Sequence, residues 1–108
     1  MTFLRAVVAA AVTVALLDGV LWGSDARAQS GAGKAAFERM CAGCHGAEGV
    51  GDVGPRLVPF AKSNRELMGI VREGTGQMPA LSVRDISDEE VAAVAEYLRA
   101  LSVVKALP

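Results

Sequence analysis

Two thiols and an imidazole stand together in Cys41-Ala42-Gly43-Cys44-His45, and they are the chain's only cysteines and its only histidine. The pattern C-x-x-C-H is the attachment signature of a c-type haem. Its spacing has a chemical reason. The two thiols add to two vinyl groups of one porphyrin as thioethers, and the next residue brings its imidazole to the iron as an axial ligand. Other uses of these residues fit less well. A C-x-x-C redox pair belongs in a βαβ context, for which the sequence has no strand pattern. A disulfide between Cys41 and Cys44 would close too short a loop to stabilise much. Two cysteines and one histidine cannot complete a four-ligand structural zinc site.

With a single histidine, bis-histidine ligation within one chain is excluded. The sixth position falls to a methionine or another weak donor, or stays open. Beyond the N-terminal region the methionines are Met40, Met68 and Met78. Met40 adjoins Cys41 on the same helix and cannot reach the opposite haem face. Met68 reads as a packing residue of the middle helix. Met78 lies in the loop Gly74-Thr75-Gly76-Gln77-Met78-Pro79, and Pro79 biases it away from helix. It is far enough from His45 for the chain to pass around a haem edge, and Met/His is a recognised haem pairing. Pro55, in Gly54-Pro55, is a candidate for the carbonyl that accepts the His45 Nδ1 proton and fixes the ring; a plain turn proline is the alternative. With both axial positions filled, oxygen chemistry is disfavoured and one-electron exchange remains. Thioether sulfur favours Fe(II) and raises the potential.

These residues need elements to position them and a core to carry them. Arg5 precedes an uncharged run, Ala6 to Leu17, which Asp18 interrupts; a second apolar patch at Leu21 and Trp22 leads to Ala26-Arg27-Ala28-Gln29. This order predicts a secretory signal peptide over residues 1–28, cleaved after Ala28, and hence a periplasmic protein. An uncleaved anchor would need ~20 apolar residues and would have to accommodate Asp18. No membrane insertion is expected after cleavage. The single domain is then 29–108. Its aromatic residues are Phe37, Phe60 and Tyr97 alone, a thin core that calls for a staple or a cofactor. Eleven bases against twelve acids give a net charge of −1, with no footprint for nucleic acid.

Gly33, Ala36, Phe37 and Met40 recur at helical spacing and predict a helix over Ala32 to Met40. Gly43 to Gly54, rich in glycine and without period, reads as loop. Ser63-Asn64-Arg65-Glu66 is a capping box opening a helix with the stripe Leu67, Ile70, Val71, ended by Gly74. Ser87-Asp88-Glu89-Glu90 repeats that chemistry ahead of Val91, Val94, Ala95, Leu98 and Leu101. The tail Ser102 to Pro108 lacks a helical stripe and is expected to pack back on the domain. No segment alternates with period two. The fold class is all-α, three to four short helices with long loops, which a small domain tolerates if they wrap a large apolar ligand.

Taken in order, Cys41-x-x-Cys44-His45, Gly54-Pro55 and Gly76-x-Met78-Pro79 resemble a class I c-type cytochrome over essentially all of 29–108. The resemblance implies the cytochrome c fold, one covalently bound haem c, the Pro55 carbonyl on His45, and Met78 as distal ligand. It also implies crossing terminal helices, with Gly33 and Phe37 meeting Val94 and Tyr97. Two departures stand out. No tryptophan follows Ala28, so a haem propionate is left to Arg56 or Arg65, and the strongly basic ring of mitochondrial-type carriers is missing. Ile70-Val71-Arg72, Met78-Pro79-Ala80 and Val94 to Leu98 are similar to the cytochrome subunits of p-cresol methylhydroxylase-type flavocytochromes, which take electrons from a flavin on a separate chain. The expected function is a periplasmic one-electron carrier, not itself an enzyme. Its expected partners are redox proteins: a dehydrogenase as donor, an oxidase or another cytochrome as acceptor. The alternatives are an electron-accepting subunit of a periplasmic dehydrogenase, and a vacant-site haem protein that binds gases or reduces peroxide.

Overall fold

The computed structural model describes residues 31–108. The expected signal peptide and its cleavage site lie outside the described residues. Among the described residues the regular structure is four helices and one 3-10 turn: α1 over residues 31–40, α2 Ala42–His45, the 3-10 turn Ala47–Gly49, α3 Asn64–Glu73 and α4 Asp88–Ala106. Among the described residues there is no strand, only an isolated bridge between Thr75 and Met78. The architecture is all-α, consistent with a cytochrome c fold. No described helix is long and apolar enough to cross a membrane.

The apolar stripes read along the chain converge on one core. Phe37 of α1, Val58, Ile86, and Val91 and Leu98 of α4 are its largest fully buried side chains. Helices α1 and α4 cross where Gly33 meets the Ala93 backbone and the Tyr97 Cβ. The Phe37 and Tyr97 rings pack beside this crossing, tilted by 50° with centroids 5.6 Å apart. The structure therefore places Gly33 against the main chain of Ala93, one residue from the expected Val94, which is buried in the same cluster as Phe37.

Both expected capping boxes form. Ser63 N–H donates to Glu66 at 2.6 Å and Glu66 N–H returns to Ser63 Oγ at 3.2 Å, starting α3. Ser87 and Glu90 repeat the exchange at 2.9 and 3.1 Å to start α4. Gly74 terminates α3. Backbone donation from Ser63 and Ser87 holds the Glu66 and Glu90 carboxyls below their ordinary range, and Ser82 does the same for Asp85. Groups whose folded pKa is depressed contribute stability that is fully present above the unfolded value and is lost as pH falls through the folded one. The thermal midpoint should be flat from about pH 7 to about pH 5 and fall below about pH 4. Glu90→Gln should show a shallower acid limb in the same scan; an unchanged limb would remove Glu90 as a contributor.

Two expectations are corrected. The Gly-rich stretch is not loop throughout, because α2 and the 3-10 turn occupy part of it. His45 N–H donates to Cys41 O at 3.0 Å and Gly46 N–H to Ala42 O at 2.9 Å. A glycine inside a helix costs only about 1 kcal/mol, so Gly43 does not break the turn. Gly46, at φ 78°, does. Nor does the tail fold back as a segment of its own: α4 continues to Ala106, leaving Val103, Val104 and Leu107 about two-thirds exposed. In this stretch contacts to the domain come from polar groups. Ser102 Oγ accepts from Phe60 N–H at 2.7 Å, and Lys105 lies 3.4 Å from Glu48.

Candidate functional site

The end of α1 runs almost directly into the cysteines, since Cys41 N–H still donates to Phe37 O at 2.8 Å. The core that holds Phe37 therefore also fixes Cys41, and α2 carries the frame on to Cys44 and His45. His45 is buried, while Cys44 is exposed and Cys41 half-buried. The two thiols are unpaired. Burial pushes the Cys41 thiol up to about 11, with the nearby Arg39 charge pulling weakly the other way. Dithiol redox pairs need a thiol acidified well below its free value, so this environment opposes that use. Among the described residues no cluster of three or more histidine, cysteine or acidic side chains could hold a metal ion by itself.

The loop after α2 returns to the imidazole. Gly51 N–H donates to His45 O and Gly54 N–H to Cys44 O, each at 2.7 Å. His45 Nδ1 lies 2.7 Å from Pro55 O. A carbonyl can only accept, so Nδ1 carries a proton, and in the neutral ring the lone pair is then on Nε2. The close return depends on Gly54, because a Cβ there would lie 3.1 Å from both His45 Nδ1 and Cys44 O. Gly49 closes the loop, its carbonyl accepting from Leu57 and Val58 N–H at 2.9 and 3.3 Å.

Met78 is held on a separate loop. Thr75 N–H donates to Met78 O at 3.1 Å and Met78 N–H to Thr75 O at 2.9 Å, a tight turn through Gly76 at φ 56°. Gly74 makes the turn's approach to α3 possible. It sits at φ 72°, and a Cβ on it would come within 2.7 Å of Met78 O. The Met78 side chain is half-buried against the apolar core, as are Met40, Met68, Leu57 and Leu81. The structure thus unites Cys44, His45, Gly54 and Pro55 through direct contacts, while Met78 packs, as Cys41 does, against the apolar core. Arg56 is exposed and donates from Nε to Val58 O at 2.6 Å, and Arg65 is exposed on the first turn of α3.

This donor set fits a covalently held haem: two free thiols and an imidazole of fixed tautomer, beside half-buried apolar side chains. Sequence reasoning missed what braces these loops. Arg72 Nη1 and Nη2 donate to the carbonyls of Leu81 and Ile86 at 3.1 and 2.9 Å. Arg99 Nη2 donates to Lys62 O and Asn64 Oδ1 at 3.0 and 2.6 Å.

Comparison with known proteins agrees with this chemistry. The family described as cytochrome c oxidase, cbb3-type, subunit III, matches residues 28–98. The chain is 38% identical over 85 residues to the 4-cresol dehydrogenase [hydroxylating] cytochrome c subunit of Pseudomonas putida, covering 79% of this chain and 74% of that one. No solved structure matches at comparable stringency. A thiol–imidazole centre on an all-α frame, within a match that spans most of the chain, places this protein in the c-type cytochrome family, whose members transfer electrons through haem.

Proposed function

We propose that this protein is an exported, periplasmic one-electron carrier. In this reading Cys41 and Cys44 would hold haem c, and His45 and Met78 would supply the ligands to its iron. The observation that carries the reading is the 2.7 Å contact between His45 Nδ1 and Pro55 O, on a histidine that directly follows two unpaired thiols. It supports the reading by leaving the neutral ring's other nitrogen able to act as a donor atom. Held there, haem supplies reversible exchange of one electron between ferric and ferrous iron. The protein's part is positioning: α1 and α2 fix the thiols, Pro55 fixes the imidazole, and the Thr75–Met78 turn presents a thioether.

The relative favours a more specific alternative. It is the cytochrome c subunit of a dehydrogenase, and 79% of this chain aligns with it. That supports an electron-accepting subunit of a periplasmic dehydrogenase as the second reading. The deciding experiment is gentle affinity purification from the native host, then gel filtration followed at protein, haem and flavin absorbances. A lone red protein of monomer size supports the diffusing carrier. Co-elution with a stoichiometric larger chain replaces it with the subunit reading, and the cofactor of that chain indicates which electrons it collects. A colourless product would overturn both. N-terminal sequencing of the same material should read from Gln29, and an intact Met1 would reject export by cleavage.

A further inference from the structure

We propose that Arg72 is a positioning residue for Met78, acting as a clasp that holds shut the loop carrying it. This rests on the reading of Met78 as distal ligand and concerns what keeps that ligand in place. Met78 sits between two closures. The upstream one is the tight turn with Thr75. The downstream one is a knot at Leu81, whose N–H donates to Val71 O at 2.8 Å. Arg72 doubles this knot. Its Nη1 reaches Leu81 O at 3.1 Å, and its Nη2 divides between Ile86 O at 2.9 Å and Asp88 Oδ1 at 2.6 Å. One guanidinium on α3 thus ties the end of the Met78 loop and the first turn of α4 to the helix from which the loop departs.

The arrangement suits arginine and no other side chain. Its planar fork serves several acceptors at once, whereas an ammonium is a point charge. The side chain is only 21% exposed and its Asp88 partner 63% exposed, so the two carbonyl bonds lie on the sheltered side of the clasp. A thioether is a neutral, weak donor, and how long it stays on iron depends on how rarely its loop opens. Local opening is governed by the few bonds that close a segment, not by global stability. Among the described residues, removing Arg72 leaves the Leu81–Val71 bond as the one hydrogen bond at that knot.

The test uses the haem-loaded protein as secreted and measures imidazole entry at the ferric iron, at saturating imidazole where departure of Met78 limits the rate. Arg72→Gln should accelerate entry roughly tenfold, within the 10–100-fold range typical of lost outer partners at metal sites. It should also weaken the near-infrared band that reports sulfur on ferric iron. Arg72→Lys should fall between, and it carries the test where Arg72→Gln yields no loaded protein. Arg99→Gln is the comparator, since Arg99 bonds a carbonyl and a side chain at the opposite end of α3. It should lower thermal stability and leave the entry rate alone. Wild-type rates in both Arg72 variants, or equal acceleration in Arg99→Gln, would overturn the clasp. A wild-type protein without the sulfur band would instead overturn Met78 as ligand, and the clasp with it.

Discussion

On the proposed ligation, replacement of Met78 by alanine is expected to lower the reduction potential by a few tenths of a volt, within the roughly 0.8 V span that axial ligands command. The sign follows from the donor. Thioether sulfur stabilises ferrous over ferric iron, and the water or weaker donor that enters in its place does not. The variant should still fold and keep its haem, because Cys44 and His45 lie on α2 and Cys41 joins α1 to it, all apart from the Met78 loop. The ferrous form should now bind carbon monoxide, which the unaltered protein should refuse. Redox titration and carbon monoxide difference spectra on the same two samples check both statements. A variant with unaltered potential and spectra would exclude Met78 from the iron. Carbon monoxide binding by the unaltered protein would favour a vacant-site haem protein instead of a carrier.

What could be read along the chain was whatever depends on neighbours in sequence. The two capping boxes pair side chains three residues apart, so Ser63 with Glu66 and Ser87 with Glu90 announced the starts of α3 and α4 directly. The α1–α4 crossing was not legible in that way: only the family resemblance implied it, by matching Gly33 and Phe37 to Val94 and Tyr97. The arginine clasps were not legible either. Arg72 and Arg99 bond chiefly to backbone carbonyls and distant polar groups, up to 37 residues away, and a carbonyl carries no mark of its residue type. The end of α4 was misread for a different reason. An apolar stripe reports burial, but Val103 to Ala106 remain helical with the domain-facing positions taken by Ser102 and Lys105, and nothing breaks the helix before Pro108. Likewise Gly43 looked like a loop residue, whereas the backbone turn that closes on Cys41 O tolerates it.

Gly33→Ala should be the most destabilising methyl group that can be added to the described part of α1. An alanine in an open helix is worth about 0.5–1 kcal/mol more than glycine, so on propensity alone the variant would gain. Packing reverses the sign. A Cβ on Gly33 would lie 2.2 Å from Ala93 O and 2.7 Å from Ala93 C, and both are backbone atoms that no rotamer change can move aside. The helices must part, which loosens the Phe37–Tyr97 contact and the packing of Ala36 and Val94 behind it. Overpacking of this kind costs about 1–3 kcal/mol, and a clash with main chain sits at the upper end. For a domain this small that corresponds to a fall in thermal midpoint of about 10–20 °C. The consequence reaches the proposed site because Cys41 directly follows α1, so parting the helices displaces that thiol relative to the core. The loss should appear equally in chemical denaturation, as a lower midpoint with unchanged slope. A stability equal to or above that of the unaltered protein would mean that α1 and α4 do not cross at Gly33.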